Sequence, residues 1–539
     1  MSHKGINRMK KFIYPTLTVV AIVLGFLIGN GLANRANAQQ IRWNGINFSF
    51  SKVDELLQYM QRSYVDPIDT DSLTEEIMDD IVSKLDPHSS YIPKKDLEIV
   101  NSELGSSFSG IGVQFSIQND TIAIIAVISG GPSEHVGILA GDKIVEVNDS
   151  AFVGKGINNE KVMHTLRGEK GTEVKLGIRR NGTQELLHYT VIRGDIPVHS
   201  VDASFIVAPQ IGFVRVNKFG ETTYNEFMTA LSKLKSEGAK SYIVDLRENS
   251  GGYMDQAIKM ANEFLSAGDM IVYAEGRTYP RYEAKANGLG RFQKAPLIVL
   301  IDDFSASASE IFAGAMQDND RAIIVGRRSF GKGLVQQQVS FSDGSALRLT
   351  VARYYTPSGR CIQKPYQLGK QEDYEKDLLN RFEHGEMYSK DSIMLNDTTA
   401  FYTKAGKKVF GGGGIMPDVF VGRDTTLNTP WFNRVVNMAY TYQFAYRYVD
   451  KNRKKLETYK EWQSLEKYLN QQNWIPEFVR FAKEKGIEPD EAQIKKSTPL
   501  LKRVVQAYIV RDMLGDEGFY PLFERDDEIT RRAIKELQK

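Results

Sequence analysis

Between Ile211 and Val325 the sequence alternates short apolar runs with amphipathic segments, and this alternation constrains the fold more than any other feature. In order, the segments are IGFVRV, YNEFMTALSKL, SYIVDL, MDQAIKMANEFL, LIVLI, ASEIFAGAM and AIIV. The apolar runs have the length of buried strands, whereas the segments between them carry apolar residues at helical spacing. Strands that alternate with helices favour parallel pairing. The pattern therefore predicts an α/β layer built on a largely parallel sheet.

The regions on either side of this alternation have other sequence patterns. The chain of 539 residues is long enough for roughly three or four domains. Apolar residues recur at helical spacing from Val53 to Leu85, and short alternating runs with glycines fill the region from Ser106 to Asp195. After Val421 the chain is helical in pattern and highly charged. We therefore predict a signal peptide or membrane anchor (1–40), a helical segment (41–97), a β-rich domain (98–195), an α/β core (196–424) and a C-terminal helical domain (425–539).

The first forty residues have the layout of an export segment. Basic residues within positions 4–11 precede an uncharged run over 12–32, and Ala-Asn-Ala follows at 36–38. The run is long enough to span a bilayer and Arg35 interrupts the region before the cleavage motif, so we favour a retained anchor. Both forms place the chain from about Gln40 onward outside the cytoplasm, in the periplasm.

Bulk composition gives no reason to expect nucleic acid as a partner. The formal net charge is only +2, with 69 basic and 67 acidic residues. The single cysteine, Cys361, excludes an intramolecular disulfide and a cysteine-based zinc site. Function must therefore be argued from individual sites.

The stretch GRRSFGKG, Gly326–Gly333, looks like a phosphate-binding loop but lacks its context. A nucleotide loop needs a Ser or Thr after the lysine, followed by a helix. Gly333 follows Lys332, and the next residues alternate, turn at Asp343-Gly344 and alternate again, which predicts a β-hairpin. A nucleotide-binding protein is therefore the weakest interpretation.

A serine nucleophile suits this part of the chain better. FSASASEIFAGAM begins a predicted helix after the apolar run LIVLI, and it offers Ser305, Ser307 and Ser309. A lysine can act as the base if burial lowers its pKa from about 10.4 towards about 7. All seven histidines lie outside residues 200–360. The two glycines in DLRENSGG, Gly251 and Gly252, would offer backbone amides to an oxyanion.

Several motifs together resemble the C-terminal processing peptidases, also called tail-specific proteases. These are SASASEIFAGAMQDNDRAIIVGRRSFGKGLVQ, DLRENSGG, RYYTPSGRCIQ and GGIMPDV, and the resemblance runs from about Phe50 to Val421. It implies a crotonase-like (ClpP/crotonase) α/β core with an inserted β-rich PDZ domain and flanking helical segments. It also implies a serine endopeptidase that requires no metal or cofactor.

The resemblance selects the site residues. The family's serine lies twenty-five positions before its lysine, which implies Ser307 as nucleophile and Lys332 as base. Gln336 matches a glutamine that would orient the lysine ammonium. The amides of Gly252 and Ala308 would form the oxyanion hole.

The region SGIGVQF resembles the carboxylate-binding loop of a PDZ domain, in which backbone amides receive a peptide's C-terminus. The segment GILAGDKIVEVN matches the usual PDZ pattern, except that Asp149 replaces the customary glycine after Asn148. In the α/β core, Ser250 replaces the proline that commonly precedes Gly251 and Gly252. The insert from Lys364 to Lys408 and the helices after Val421 match nothing in the common core. The implied peptide-binding residues are Gly110, Ile111, Gly112 and Val113.

We therefore expect an exported serine endopeptidase acting on proteins or peptides with an exposed C-terminal tail, with the PDZ domain gating the site. The charged terminal helices are candidates for a homo-oligomer contact. The alternative is a non-catalytic, membrane-tethered PDZ scaffold that only binds peptides.

Overall fold

The computed structural model describes residues 51–118, 120–128, 130–139, 141–180, 183–395 and 397–539. The predicted export segment, residues 1–40, lies outside the described residues. Across these ranges we find no helix with both the length and the apolar character needed to cross a membrane. The described chain divides into two units, one that ends at Glu76 and one that runs from Ile77 to Lys539.

Two helices, α1 (Ser51–Ser63) and α2 (Thr70–Ser83), begin the described chain. Asp66-Pro67 interrupts the helical segment, because proline and the residue before it disfavour helical backbone. A short strand β1 (Ser90–Ile92) and a helix α3 (Lys94–Ser102) follow and lead into the β-rich domain.

The β-rich domain is a six-stranded antiparallel sheet whose main path has the order β3–β4–β5–β7–β8, with β6 paired to β5. The strands that enter and leave the domain, β2 and β9, pair with each other. Within the described residues, β3 pairs only with β4, so one edge of the sheet is open. The elements are β2 (Ser107–Gly110), β3 (Val113–Gln118), β4 (Thr121–Val127), α4 (Pro132–His135), β5 (Lys143–Val147), β6 (Ser150–Ala151), α5 (Asn159–Leu166), β7 (Glu173–Arg179), β8 (Leu187–Ile192) and β9 (Gly194–Pro197).

The α/β core follows the predicted alternation. Its elements are β10 (Val201–Ala208), β11 (Ile211–Val216), α6 (Thr223–Ser236), β12 (Ser241–Asp245), α7 (Met254–Asn262), β13 (Met270–Glu275), β14 (Tyr282–Lys285), β15 (Leu297–Ile301), α8 (Ala308–Asp318), β16 (Ile323–Gly326), β17 (Leu334–Ser340), β18 (Ala346–Tyr355), α9 (Gln371–Glu375), α10 (Asp377–Glu383), β19 (Ala400–Tyr402), β20 (Lys408–Phe410) and β21 (Val419–Phe420).

The main sheet has the order β10–β11–β12–β15–β16–β21, and every pairing from β11 to β21 is parallel. Only β10 runs antiparallel to its neighbour. Residues of β11, β12 and β15 are buried on both faces, which explains their nearly unbroken apolar sequences. The predicted parallel α/β layer is confirmed.

A second sheet holds β1, β18, β13 and β14, with β17 paired to β18. The antiparallel β17–β18 pair is the hairpin predicted after Lys332. Lys332 is therefore followed by a strand, and the nucleotide-loop interpretation is wrong because that loop must open a helix.

The C-terminal region consists of seven helices. Most pack around their own apolar cluster, which includes Trp474 and Phe478. The last helix instead covers one face of the main sheet, where Ile529 and Ala533 contact the cluster around Phe213. The helices are α11 (Pro430–Asn437), α12 (Tyr440–Leu456), α13 (Trp462–Asn470), α14 (Ile475–Glu484), α15 (Glu491–Leu514), α16 (Asp516–Arg525) and α17 (Glu528–Leu537).

Candidate active site

A cleft of about 710 Å³ opens beyond the carboxyl ends of the parallel strands β11, β12 and β15. The carboxyl ends of parallel strands meet at one edge of the sheet, where such folds place their ligands. Ser307, Lys332, Gln336 and Gly252 all line this cleft. Residues predicted from separate motifs are thus brought together in one place.

Ser307 occupies the position immediately before α8, with φ 56° and ψ −113°. Non-glycine residues rarely adopt positive φ, and such strain costs about 1–3 kcal/mol and concentrates at functional sites. The neighbouring Ser305 and Ser309 are fully buried, and their hydroxyls donate to the backbone oxygens of Leu246 (2.7 Å) and Asn249 (2.9 Å). Of the three candidate serines, only Ser307 lines the cleft.

Lys332 lies in the turn between β16 and β17. Its Nζ donates to Gln336 Oε1 at 3.0 Å, and Gln336 Nε2 donates in turn to the His88 carbonyl oxygen. Burial, assisted by the charge of Arg348, lowers the pKa of Lys332 to about 8. A lysine with this pKa is about one-tenth neutral at pH 7 and can accept a proton in that form.

Glu310 joins the serine and lysine segments, and the sequence analysis missed it. Its buried carboxylate accepts hydrogen bonds from the backbone amides of Ser307 (2.9 Å), Gly331 (2.7 Å) and Lys332 (2.8 Å). It also accepts one from the Ser329 hydroxyl. Burial raises the pKa of Glu310 to about 7. The Ser-x-x-Glu spacing from Ser307 is a capping-box signature, which was the available sequence signal.

Tyr354, on β18, forms a second link between the same two segments. Its buried hydroxyl lies within hydrogen-bonding distance of the backbone oxygens of Ser307 (3.0 Å) and Lys332. Burial raises the pKa of Tyr354 well above its usual value, so the group remains a donor. Tyr354 lies in the motif RYYTPSGRCIQ, but the motif alone does not reveal these contacts, because the partners are distant in the chain.

The segment with Gly251 and Gly252 approaches the serine closely. Both glycines have positive φ, 104° and 139°. A Cβ at Gly251 would lie 2.7 Å from the Ser307 Cβ, and one at Gly252 would collide with the Phe219 carbonyl. Only glycine fits at these two positions.

The amides of Gly252 and Ala308 are available as donors. Neither amide donates a hydrogen bond to any acceptor among the described residues. Ala308 is the first residue of α8, where backbone N–H groups have no partner within the helix. These two amides can therefore receive a developing oxyanion.

A buried charge network holds the loop that leads to these glycines. Arg247 donates to Asp245 (2.8 Å), Glu524 (2.7 Å) and Asp527 (2.9 Å). Its side chain is 9% exposed, whereas those of Asp245 and Glu524 are 0% and 2% exposed. The network ties the end of β12 to the terminal helices α16 and α17. The C-terminal helices thus support the loop with Gly251 and Gly252.

Replacing Arg247 with methionine is expected to lower the free energy of unfolding by about 3–5 kcal/mol, because it leaves the buried Glu524 without the cation that donates to it and leaves Asp245 with Arg215 alone. Denaturant unfolding measures the change. The matched control is Lys259→Met, which breaks the exposed pair with Asp255 and should cost less than about 1 kcal/mol. Equal unfolding free energies for Arg247→Met and the unaltered chain would contradict the prediction.

The predicted peptide-binding loop lies at the open edge of the β-rich sheet. Gly110 ends β2, Gly112 has φ 76°, and Val113 begins the edge strand β3. The carbonyl oxygens of Ile111 and Gly112 accept hydrogen bonds from Ser133 and Ile128, both at 3.0 Å. These bonds fix the loop from the side opposite the open edge.

Arg167 connects this domain to the catalytic cleft. Its Nη1 donates to Ser102 Oγ at 2.6 Å, and its guanidinium lies 4.2 Å from the centroid of the Phe108 ring. Ser102 ends α3, and the next residues, Glu103 and Leu104, line the catalytic cleft. One helix end therefore contacts both the β-rich domain and the cleft.

Comparison with protein families identifies both domains. Residues 210–376 match a family described as peptidase family S41, and residues 109–191 match the PDZ domain family. The C-terminal helices, over residues 431–515, match a family of unknown function.

Two curated relatives give the same assignment. The carboxy-terminal-processing protease of Bartonella bacilliformis is 35% identical over 355 residues, covering 64% of this chain and 80% of the relative. The carboxy-terminal processing protease CtpA of Bacillus subtilis is 35% identical over 316 residues, covering 58% and 67%. Among solved structures, the photosystem II D1 C-terminal processing protease has 25% identity and a TM-score of 0.37, covering 70% of this chain and 88% of that one. The chain belongs to peptidase family S41, as a serine protease of the carboxy-terminal-processing group that carries a PDZ domain.

Proposed function

We propose that this protein is an endopeptidase that cleaves with a Ser307–Lys332 dyad and selects substrates by an accessible C-terminal tail. The observation that carries the proposal is the shared cleft, in which a serine with strained backbone and a lysine with lowered pKa are linked through the Glu310 carboxylate. This arrangement supplies a nucleophile and a base on two segments that one carboxylate holds together.

The proposed reaction gives each of these residues one role. Ser307 Oγ attacks the scissile carbonyl while the neutral Lys332 amine takes the hydroxyl proton. The resulting oxyanion is stabilised by the amides of Gly252 and Ala308. Lys332 next donates its proton to the leaving amine, which departs and leaves an acyl-enzyme. The lysine finally activates the water that hydrolyses this ester, while Gln336 keeps the amine oriented.

Tail selection is assigned to the PDZ domain. The amides of the loop from Gly110 to Val113 would receive the terminal carboxylate, and the tail would pair with the open edge of β3. Occupation of this loop would be transmitted to the cleft through the contact between Arg167 and Ser102, so that the PDZ domain gates cleavage.

For cellular placement, we propose a periplasmic protein held at the inner membrane by residues 12–32. The basic, apolar and small-residue regions of the first forty residues support this proposal. We also propose that the charged C-terminal helices form a homo-oligomer contact. Recovery of the chain in a soluble extract with a new N-terminus at residue 39 would contradict the anchor, and sedimentation as a monomer would contradict the oligomer.

The test compares cleavage of one unfolded protein with a free C-terminus and with an amidated C-terminus. The amidated form should have kcat/KM lower by about tenfold or more, since charge-assisted hydrogen bonds to the terminal carboxylate are lost. Ser307→Ala should cleave both substrates at least about 10⁴-fold more slowly than the unaltered chain. Binding of the free tail by the unaltered chain without cleavage would favour the scaffold alternative.

A second variant lacks residues 106–195. If it cleaves both substrates with the rate and tail preference of the full chain, the gating role is wrong. Loss of the preference would support that role.

A further inference from the structure

The segment from Gln363 to Tyr388, here called the clamp segment, surrounds the loop that carries Lys332. It includes the whole N-terminal half of the insert from Lys364 to Lys408, whose function the sequence left open. The loop itself, residues 327–333, lies between β16 and β17 and is called the lysine loop. We propose that the clamp segment positions the lysine loop for catalysis, with Arg381 and Tyr374 as positioning residues. This inference rests on the proposed role of Lys332 as the base.

The clamp segment holds the backbone of the lysine loop on both sides of Lys332. Arg381 donates to the carbonyl oxygens of Arg328 (2.9 Å) and Ser329 (3.1 Å). The Lys364 amide donates to the Gly331 carbonyl oxygen at 2.9 Å. The Gly333 amide donates to Gln363 Oε1 at 2.8 Å. Four residues of a loop without regular structure are thereby fixed by the clamp segment.

Buried charges join the same two segments. Arg328 donates through Nε and Nη2 to the two oxygens of Glu386, both at 2.6 Å, and Arg381 Nε donates to Glu386 Oε1 at 2.9 Å. All three side chains are 5% exposed. Buried ion pairs of this kind add little net stability, because desolvation offsets their attraction. Their hydrogen bonds instead fix the position of the lysine loop relative to the clamp segment.

Lys364 forms a second buried contact of the same kind. Its ammonium lies 4.0 Å from the ring centroids of both Phe330 and Tyr374, and it donates to Asp377 at 3.1 Å. The side chain is 4% exposed. Phe330 is thus held from the clamp side, two residues before the catalytic lysine.

Tyr374 also reaches the lysine side chain through two intermediate residues. Its hydroxyl lies 2.9 Å from His88 Nε2, and the His88 carbonyl oxygen accepts the hydrogen bond from Gln336 Nε2. Gln336 Oε1 then accepts from Lys332 Nζ. Burial, together with the charge of Lys332, lowers the pKa of His88 to about 4, so its ring stays neutral wherever the dyad works. The path therefore orients the amine without adding an ionisation of its own.

Loosening the clamp should have a specific consequence. Lys332 has a lowered pKa chiefly because it is buried, and a mobile loop would admit water around its amine. The pKa would then return towards its ordinary value, and less of the base would be neutral at a given pH. Tail binding should not change, because no hydrogen bond among the described residues joins the PDZ loop to the clamp segment.

The experiment measures kcat and KM against pH for the full chain and for Arg381→Lys and Tyr374→Phe. Lysine lacks the planar fork that reaches two carbonyls, and phenylalanine keeps the ring but removes the hydroxyl. For Arg381→Lys we expect the midpoint of the pH profile to rise by about one unit, with kcat at pH 7 lower by about tenfold. Tyr374→Phe should shift in the same direction by about half a unit. KM should stay within about twofold for both variants.

The matched control is Lys376→Gln, which removes an exposed charge of the clamp segment whose one ion pair among the described residues is with Glu372. It should keep the unaltered profile. A merely structural role for Arg381 or Tyr374 would reduce the amount of folded enzyme without moving the midpoint. If Arg381→Lys fails to fold, Tyr374→Phe decides alone, because it is nearly isosteric.

A parallel assay of Lys332→Met tests the proposed dyad separately from the inference about the clamp segment. If it is inactive while Tyr374→Phe and Arg381→Lys retain the unaltered midpoint and kcat, the clamp inference is overturned and the dyad stands. If Lys332→Met still cleaves, the dyad itself is wrong and the inference falls with it. An upward shift in the two clamp variants, with Lys332→Met inactive, supports the inference.

Discussion

Ser307→Ala is expected to lower kcat for cleavage of an unfolded protein by about 10⁴- to 10⁶-fold, the range found when a serine protease loses its nucleophile. The two neighbouring serine hydroxyls cannot replace it, since Ser305 and Ser309 are buried and donate to backbone carbonyls. Product formation followed by mass spectrometry over long incubations measures the residual rate.

The matched control for this prediction is Ser309→Ala, which changes a hydroxyl in the same segment. It removes one buried hydrogen bond, to the Asn249 carbonyl oxygen, at a cost of about 1 kcal/mol. We expect its cleavage rate to stay within about tenfold of that of the unaltered chain. If cleavage survives in Ser307→Ala but is lost in Ser309→Ala, the nucleophile is Ser309 and the assignment of Ser307 is wrong.

Lys332→Met is expected to lower kcat by about 10³-fold or more, because the methionine side chain is close in size but accepts no proton. Lys332→Arg should be equally inactive, because a guanidinium stays charged in proteins and cannot serve as a base. Activity retained by the arginine variant would mean that the position supplies only positive charge.

The unaltered enzyme should become more active with rising pH, with a midpoint near 8, where Lys332 loses its proton. Below about 7 the fall should steepen, because Glu310 also takes up a proton there and its hydrogen bonds from Ser307 and Lys332 weaken. A flat profile between pH 6 and pH 9 would contradict a lysine base.

The same ionisation affects stability. The unfolded chain keeps the proton of Lys332 up to about the ordinary pKa of 10.5, whereas the folded chain releases it near 8. Between these values the unfolded state binds more protons, so the free energy of unfolding contributed by this residue rises with pH, by up to about 3 kcal/mol. Denaturant unfolding at several pH values should show a smaller rise for Lys332→Met than for the unaltered chain.

Much of the fold was accessible from local pattern. The alternation over 211–325 predicted the parallel sheet, and the alternating residues after Lys332 predicted the β17–β18 hairpin. Both follow from which faces an element buries, a property that neighbouring residues encode. Motif spacing, through the family resemblance, supplied Ser307, Lys332 and Gln336, and these remain predictions until the variants are assayed.

The sequence by itself thus determined the order of the elements, the parallel layer and the motifs that meet at its edge. Only the tertiary structure decided which serine faces the cleft, and how Glu310 and Tyr354 join the two reacting segments. It also brought Gln336 into a hydrogen bond with His88, 248 residues away, and Arg247 into one with Glu524, 277 residues away. Periodicity reports the faces that a segment buries, but a contact between distant segments has no local signature, because it exists only once both are packed.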